Sequence, residues 1–337
     1  MVFISKNPGY IKRHFSRFMQ ALKYDILRPA AGIKAEGVNR VEQAIITRRL
    51  TKRYGRARGI EAVDLSVDSG DIFGFIGPNG AGKSTLIRTL LGLIKASGGS
   101  AEVLGLPLSH KTEILRRVGY MPSELAYYAR MKVKDVFALS GRLRHQDCEK
   151  ESWVLCDRLA LDPNRMVEDL SFGNKKKVAI VCALQHKPEL LILDEPTSGL
   201  DPLVQHAFWD VVTQRNQQGT TVFLSSHVLS EVQHHCRHAA IIREGRLVAN
   251  DSVENLARSL ARRITLRGPE VLPSEVEALE GVLDVQRHGN ETNILFSGDL
   301  HGLVAQLNQL PYTDLTIAEP ELEEIFMHFY EKEADGR

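Results

Sequence analysis

Cysteine is scarce and poorly spaced for chemistry: Cys148, Cys156, Cys182 and Cys236 are the four thiols, and no two form a Cys-x-x-Cys pair. That excludes a zinc knuckle and a dithiol redox motif, and it suits a reducing cytosol. Net charge is almost absent, with 43 basic residues against 42 acidic ones, so the chain as a whole shows no bias toward nucleic acid. No apolar run approaches the roughly 18 residues of a membrane span. The first residues also lack the continuous apolar segment of a secretory leader. Whatever such a chain does at a membrane, it does from the surface.

What is present is a globular composition, 43% hydrophobic and 25% charged over 337 residues, enough for about two domains. Residues 1–42 read as a basic extension. Ile11, Phe15, Phe18, Met19 and Leu22 recur at helical spacing among Lys12, Arg13, Arg17 and Lys23. Two readings stand: an amphipathic helix on an anionic membrane face, or a solvated, disordered segment. From "AIITRRLTKRYG" onward, apolar runs such as "DIFGFI", "LLILDE" and "TTVFLSSH" alternate with helical patterns, which predicts an α/β domain around a largely parallel sheet over 43–250. A helical subdomain is expected over about 123–180. Beyond 255 the pattern becomes α+β, a small accessory domain over 256–337 of split βαβ type, with a hairpin turning at Gly289-Asn290.

The most informative segment is "GFIGPNGAGKSTLIRTLL". Gly77, Gly82, Lys83 and Ser84 satisfy G-x-x-x-x-G-K-[ST] between an expected strand, Ile72–Ile76, and an expected helix, the context in which that motif cradles phosphate. Glycines at 77, 80 and 82 let backbone N–H groups turn toward phosphate oxygens. Lys83 then reaches the β- and γ-phosphates and Ser84 ligates Mg²⁺. A second strand ends in Asp194-Glu195, placing one carboxylate for Mg²⁺ and the next for an attacking water. A third ends in His227, where a neutral imidazole would reach the γ-phosphate region. In "LSFGNKKKVAI" a helix is expected to begin near Ser171, which puts Lys175, Lys176 and Lys177 where the helix dipole disfavours cations. Either those lysines point into solvent, or an anion docks at the helix start.

"GPNGAGKST", "LSFGN", "LLILDEPTSGLD" and "SSH", in this order, resemble the nucleotide-binding subunit of an ABC transporter over roughly residues 43–250. "GYMPSELAYY", "LSFGNKKK" and "EPELEEIFMHFY" are similar to the bacterial drug and antibiotic exporter branch. The resemblance implies a P-loop NTPase fold and ATP hydrolysis powering export of a drug, antibiotic or lipid-like molecule. It implies a homodimer, or a heterodimer with another such ATPase, on separate integral membrane permease subunits, with no nucleic acid partner. The location implied is cytoplasmic, peripheral on the inner face of the cell membrane.

Carried over by position, Tyr54 stacks on adenine, and Gly77, Pro78, Asn79, Gly80, Ala81, Gly82, Lys83, Ser84 and Thr85 hold the phosphates. Ser84 and Asp194 hold Mg²⁺, Glu195 is the general base and His227 the switch histidine. Ser171, Phe172, Gly173 and Asn174 are the signature, which meets the ATP of the partner subunit. Ser123, Glu124 and Asp201 belong to coupling loops. The permease's coupling helix is expected at the segment containing "ARMKVKDVFALSGRL".

Three positions depart from the family pattern. Phe172 stands where glycine is usual, Asn174 where glutamine is common, and Ser123, followed by Glu124, where a glutamine ordinarily senses Mg²⁺ and water. The alternative function is an ABC ATPase that moves no solute and acts on ribosomes or DNA. Those branches usually carry two nucleotide domains or long coiled coils, whereas one phosphate loop and no sustained heptad run are found here.

Overall fold

A computed structural model describes residues 42–55, 57–127, 130–258, 262–268, 276, 279, 281–296, 298–308 and 311–318. The basic extension, with its amphipathic stretch, and the exporter-like segment "EPELEEIFMHFY" lie outside the described residues. The chain divides into two compact units, one drawn from Met1–His227 and Ala240–Val248, the other from Val228–Ala239 and Ala249–Arg337.

The first unit is built on two sheets. Strands β1 (Gln43–Tyr54), β2 (Ala57–Asp68), β4 (Gly98–Val103) and β5 (Leu106–Pro107) form an antiparallel sheet in the order β2-β1-β4-β5. The central sheet runs β10-β9-β3-β8-β7-β6, with β3 (Ile72–Ile76), β6 (Val118–Met121), β7 (Leu190–Asp194), β8 (Thr221–Ser226), β9 (His238–Arg243) and β10 (Arg246–Ser252). Every residue of β3, β6, β7 and β8 is buried, as expected of parallel strands covered on both faces. Phe73 stacks on Phe223 at 5.9 Å between ring centroids, tying neighbouring strands through their side chains. Between the two sheets lies a core that includes Ile45, Val63, Val103, Phe75 and Ile242, completed by Leu86, Ile87 and Leu90 of the helix Lys83–Leu90.

Because β3, β8, β7 and β6 are mutually parallel, their carboxyl ends share one edge. Gly77, Ser123, Glu195 and His227 each follow one of those ends by one or two residues. Ligands of open α/β sheets bind at that edge.

The second half of the helix Phe172–Leu184 is apolar and carries a buried run from Val178 to Val181. Its closeness to β6 requires a glycine. A Cβ on Gly119 would lie 2.1 Å from the Ala183 carbonyl oxygen and 2.9 Å from Pro188 Cγ. Gly119→Ala is therefore expected to cost about 1–3 kcal/mol as overpacking. A shift of the denaturation midpoint measures it, and an unchanged midpoint would mean the helix has room to move off the strand.

In the second unit β11 (Arg262–Arg267), β12 (Val282–His288), β13 (Glu291–Phe296) and β14 (Asp314–Ala318) form an antiparallel sheet in the order β12-β13-β11-β14. Counted within the unit this is 2-3-1-4, the split βαβ arrangement. Strands β12 and β13 are joined across Gly289-Asn290, where Gly289 has φ +64°. The helix Leu300–Leu307 is capped by Asp299, which accepts from the N–H groups of His301 and Gly302, both at 3.0 Å. Leu303 and Leu307 pack with Ile264, Leu266, Ile294 and Phe296.

Candidate nucleotide site

The loop after β3 is shaped by its glycines. A Cβ on Gly77 would sit 2.5 Å from the Ile242 carbonyl oxygen, and Gly82, at φ +114°, opens the helix Lys83–Leu90. No side chain caps that helix and its first turn holds no acid, so its amides face the loop unopposed. A cavity of about 250 Å³ lies there, lined by Pro78, Asn79, Gly80, Gly82, Lys83, Ser84, Thr85, Ser123 and Glu195. A larger cavity, about 690 Å³, lies beside the helices Val133–Leu143 and Glu149–Arg158; it is lined in part by Lys134, Phe137 and Arg142 of the expected permease-coupling segment and by none of the nucleotide-site candidates. Convergent polar groups rather than size mark the smaller one as the site.

Lys83 is buried. Its Nζ donates to the carbonyl oxygens of Gly77 at 2.5 Å and Pro78 at 3.3 Å, and forms an ion pair with Glu195 Oε1 at 3.2 Å. The other carboxylate oxygen, Oε2, lies 2.5 Å from His227 Nδ1. A carboxylate only accepts, so Nδ1 carries the proton, and Nε2 of the neutral ring is then an acceptor. Glu195 itself adopts a left-handed conformation, φ +54°, held by its N–H donating to the Ser225 carbonyl at 3.0 Å.

Asp194 is fully buried. Its Oδ1 accepts from Ser225 Oγ at 2.6 Å and its Oδ2 from Ser123 Oγ at 3.2 Å. Ser123 thus connects the cavity wall to Asp194 with one short hydroxyl arm. The buried Tyr120 phenol is held far above its ordinary pKa by burial and by the charge of Asp194. It stays neutral beside that carboxylate.

The remaining candidates lie elsewhere. Tyr54 ends β1, half-exposed, with Lys52 Nζ 5.2 Å from its ring centroid, and it does not line the cavity. Glu124 is exposed. Ser171 caps the helix Phe172–Leu184 by accepting from Asn174 N–H at 3.3 Å, and Asp201 caps Pro202–Gln217 by accepting from Val204 N–H at 3.0 Å. No residue from Ser171 to Asn174 lines the cavity around Lys83.

Residues 60–198 match the family model described as "ABC transporter". The chain is 37% identical over 221 residues to the bacitracin transport ATP-binding protein BcrA of Bacillus licheniformis, covering 64% of this chain and 71% of that protein. It is 31% identical over 297 residues to the linearmycin resistance ATP-binding protein LnrL of Bacillus subtilis (strain 168), covering 83% and 96%. The chain belongs to the ABC transporter ATP-binding family. A solved ATP binding subunit of an ABC transporter is similar at 28% identity and TM-score 0.61, over 64% of this chain and 92% of that one. As a member of this family the protein is an ATP-binding cassette and an ATPase.

Sequence reading missed three parts of this cassette. Gly59 contributes backbone to the cavity wall, and its own Cβ would meet the Lys52 carbonyl at 2.2 Å. Ser225 holds Asp194. Of the lysines expected either in solvent or near an anion, Lys176 and Lys177 are buried, and Lys176 Nζ donates to the Glu195 carbonyl at 2.8 Å. The expectation of a solvent-facing lysine fails for Lys176, because the interior offered it oxygen acceptors that spacing could not show.

Proposed function

We propose that this cassette powers export of a small molecule, of drug, antibiotic or lipid-like class, through separate integral membrane permease subunits. What carries the reading is the convergence of the phosphate loop, Ser123 and Glu195 on one cavity. The names of BcrA and LnrL speak for transport and resistance, and the alternative of a ribosome- or DNA-acting ATPase is not favoured. Among the described residues no helix is long and apolar enough to cross a membrane, in keeping with a permease on another chain and a peripheral position on the membrane's inner face.

Loop amides and Lys83 would bind the β- and γ-phosphates, and Tyr54 the adenine. The donors near the phosphates, Ser84 and the Ser123–Asp194 pair, are all oxygen, which fits Mg²⁺. Ser84 and Asp194 would hold it, and it would supply charge neutralisation at the phosphates. Glu195 would take a proton from the water that attacks the γ-phosphorus as the bond to ADP breaks. In the state described, Lys83 neutralises that same carboxylate. Arriving phosphates would give Lys83 a stronger anionic partner and leave Glu195 to His227 and water.

The cassette would work as a homodimer or heterodimer in which each signature meets the other subunit's ATP. Supporting this, Ser171 and Phe172 are exposed, as is Leu203 two residues after Asp201, which leaves the signature open to a partner subunit. The purified protein is expected to release phosphate from ATP only with Mg²⁺, and Lys83→Ala to lower kcat by about 100-fold or more, the cost of removing a charge aimed at the transition state. Turnover of Lys83→Ala at the wild-type rate would overturn the reading.

A further inference from the structure

Lys176 lies in the second turn of the signature helix and is 1% exposed. Its Nζ donates to the Glu195 carbonyl at 2.8 Å and approaches the Pro196 carbonyl at 3.4 Å. Those carbonyls belong to the turn in which Glu195 takes its left-handed φ of +54°. For a non-glycine residue such a conformation is strained and persists only where surrounding contacts enforce it. One turn earlier on the same helix face, the Phe172 ring lies with its centroid 5.7 Å from the ammonium. The ring in turn rests on Gly199, where a Cβ would sit 2.7 Å from Phe172 Cε1. Tyr127 Oη donates to the Lys175 carbonyl at 3.1 Å, which binds the first turn of the helix to the segment following Ser123.

We propose that Lys176 is a positioning residue for hydrolysis, acting through Glu195. Its ammonium fixes the backbone turn from which the Glu195 carboxylate reaches the cavity, and it does so from the helix that begins at the signature. Phe172, the residue that departs from the family's glycine, covers the ammonium beside those two carbonyls. The inference rests on the reading of Glu195 as the group that takes the proton from water.

A structural staple and a positioning residue lose different things. Methionine matches the length of the lysine stem and carries no N–H donor, so Lys176→Met should keep the helix seated while releasing the turn. With the full-length protein, kcat of K176M is expected to fall about 100-fold, the scale of a catalytic group displaced by roughly 1 Å, with KM for MgATP within about threefold of wild type. In the E195Q background the same substitution should change the residual single-turnover rate by less than about threefold, because a residue acting through Glu195 has nothing left to position. ATP-dependent dimerisation of the E195Q/K176M double variant should match that of E195Q. Wild-type kcat in K176M, with E195Q inactive, overturns the inference and leaves the reading of Glu195 standing. Loss of nucleotide binding together with kcat, or a further large loss in the E195Q background, assigns Lys176 to folding and also overturns it. Wild-type turnover by E195Q removes the reading and the inference together.

Discussion

Glu195→Gln is expected to stop ATP turnover while leaving a dimer that persists only in MgATP. Glutamine keeps the size of glutamate, and its carbonyl oxygen still accepts from His227 Nδ1, now 2.5 Å from the carboxylate. What it cannot do is accept a proton from water, and a positioned general base contributes about 10²–10⁴ in rate. The substitution also removes the ion pair that Lys83 makes with Oε1. Lys83 then no longer leaves a carboxylate to meet the phosphates, so ATP should bind at least as tightly as in the wild type. With the phosphate loop and the signature intact and hydrolysis stopped, the ATP-bound closed form should accumulate. Size-exclusion chromatography would give a dimer in MgATP and a monomer in MgADP. A variant that stays monomeric at saturating ATP would count against a clamp built from two subunits.

The sequence made three strands at the edge of the central sheet legible because each is marked twice, by an apolar run and by a glycine, acid or histidine just past its end. Ile72–Ile76 before Gly77, Leu190–Asp194 before Glu195, and Thr221–Ser226 before His227 are the instances, and parallel pairing brings these ends together. The cavity wall follows from that pairing. Less legible were contacts made by side chains distant in sequence whose type does not announce a partner. Ser123 and Asp194 are 71 residues apart, and a serine in place of the usual glutamine gave no sign that its hydroxyl would donate to the buried carboxylate. Lys176 shows the opposite failure. A run of three lysines reads as solvated surface, since lysine is rarely buried without compensation. The compensation here includes main-chain carbonyls in an irregular turn, a feature without a composition signature.

Mixing two inactive variants is expected to restore ATPase activity if the signature serves the partner's nucleotide. Lys83→Ala removes the buried cation of the phosphate loop. Ser171→Arg replaces the cap of the signature helix with a bulky cation, losing the hydrogen bond from Asn174 N–H at 3.3 Å and filling the exposed surface where phosphate would arrive. In a mixed dimer with signatures acting in trans, one site carries both lesions and the other is assembled from an intact loop and an intact signature. Some turnover should therefore return, toward half the wild-type rate per dimer if sites fire independently. With signatures acting in cis, every subunit carries a lesion in its own site and mixing restores nothing. The absence of Ser171–Asn174 from the cavity around Lys83 favours the first outcome. The reciprocal control is a linked dimer of wild type with the double variant K83A/S171R, in which trans assembly damages both sites and cis assembly leaves one intact. Activity in that control with none in the mixture overturns the trans arrangement. Silence in both makes two working sites a condition for turnover, and Asp201, whose carboxylate caps the helix Pro202–Gln217 through Val204, is then the residue to test for coupling them.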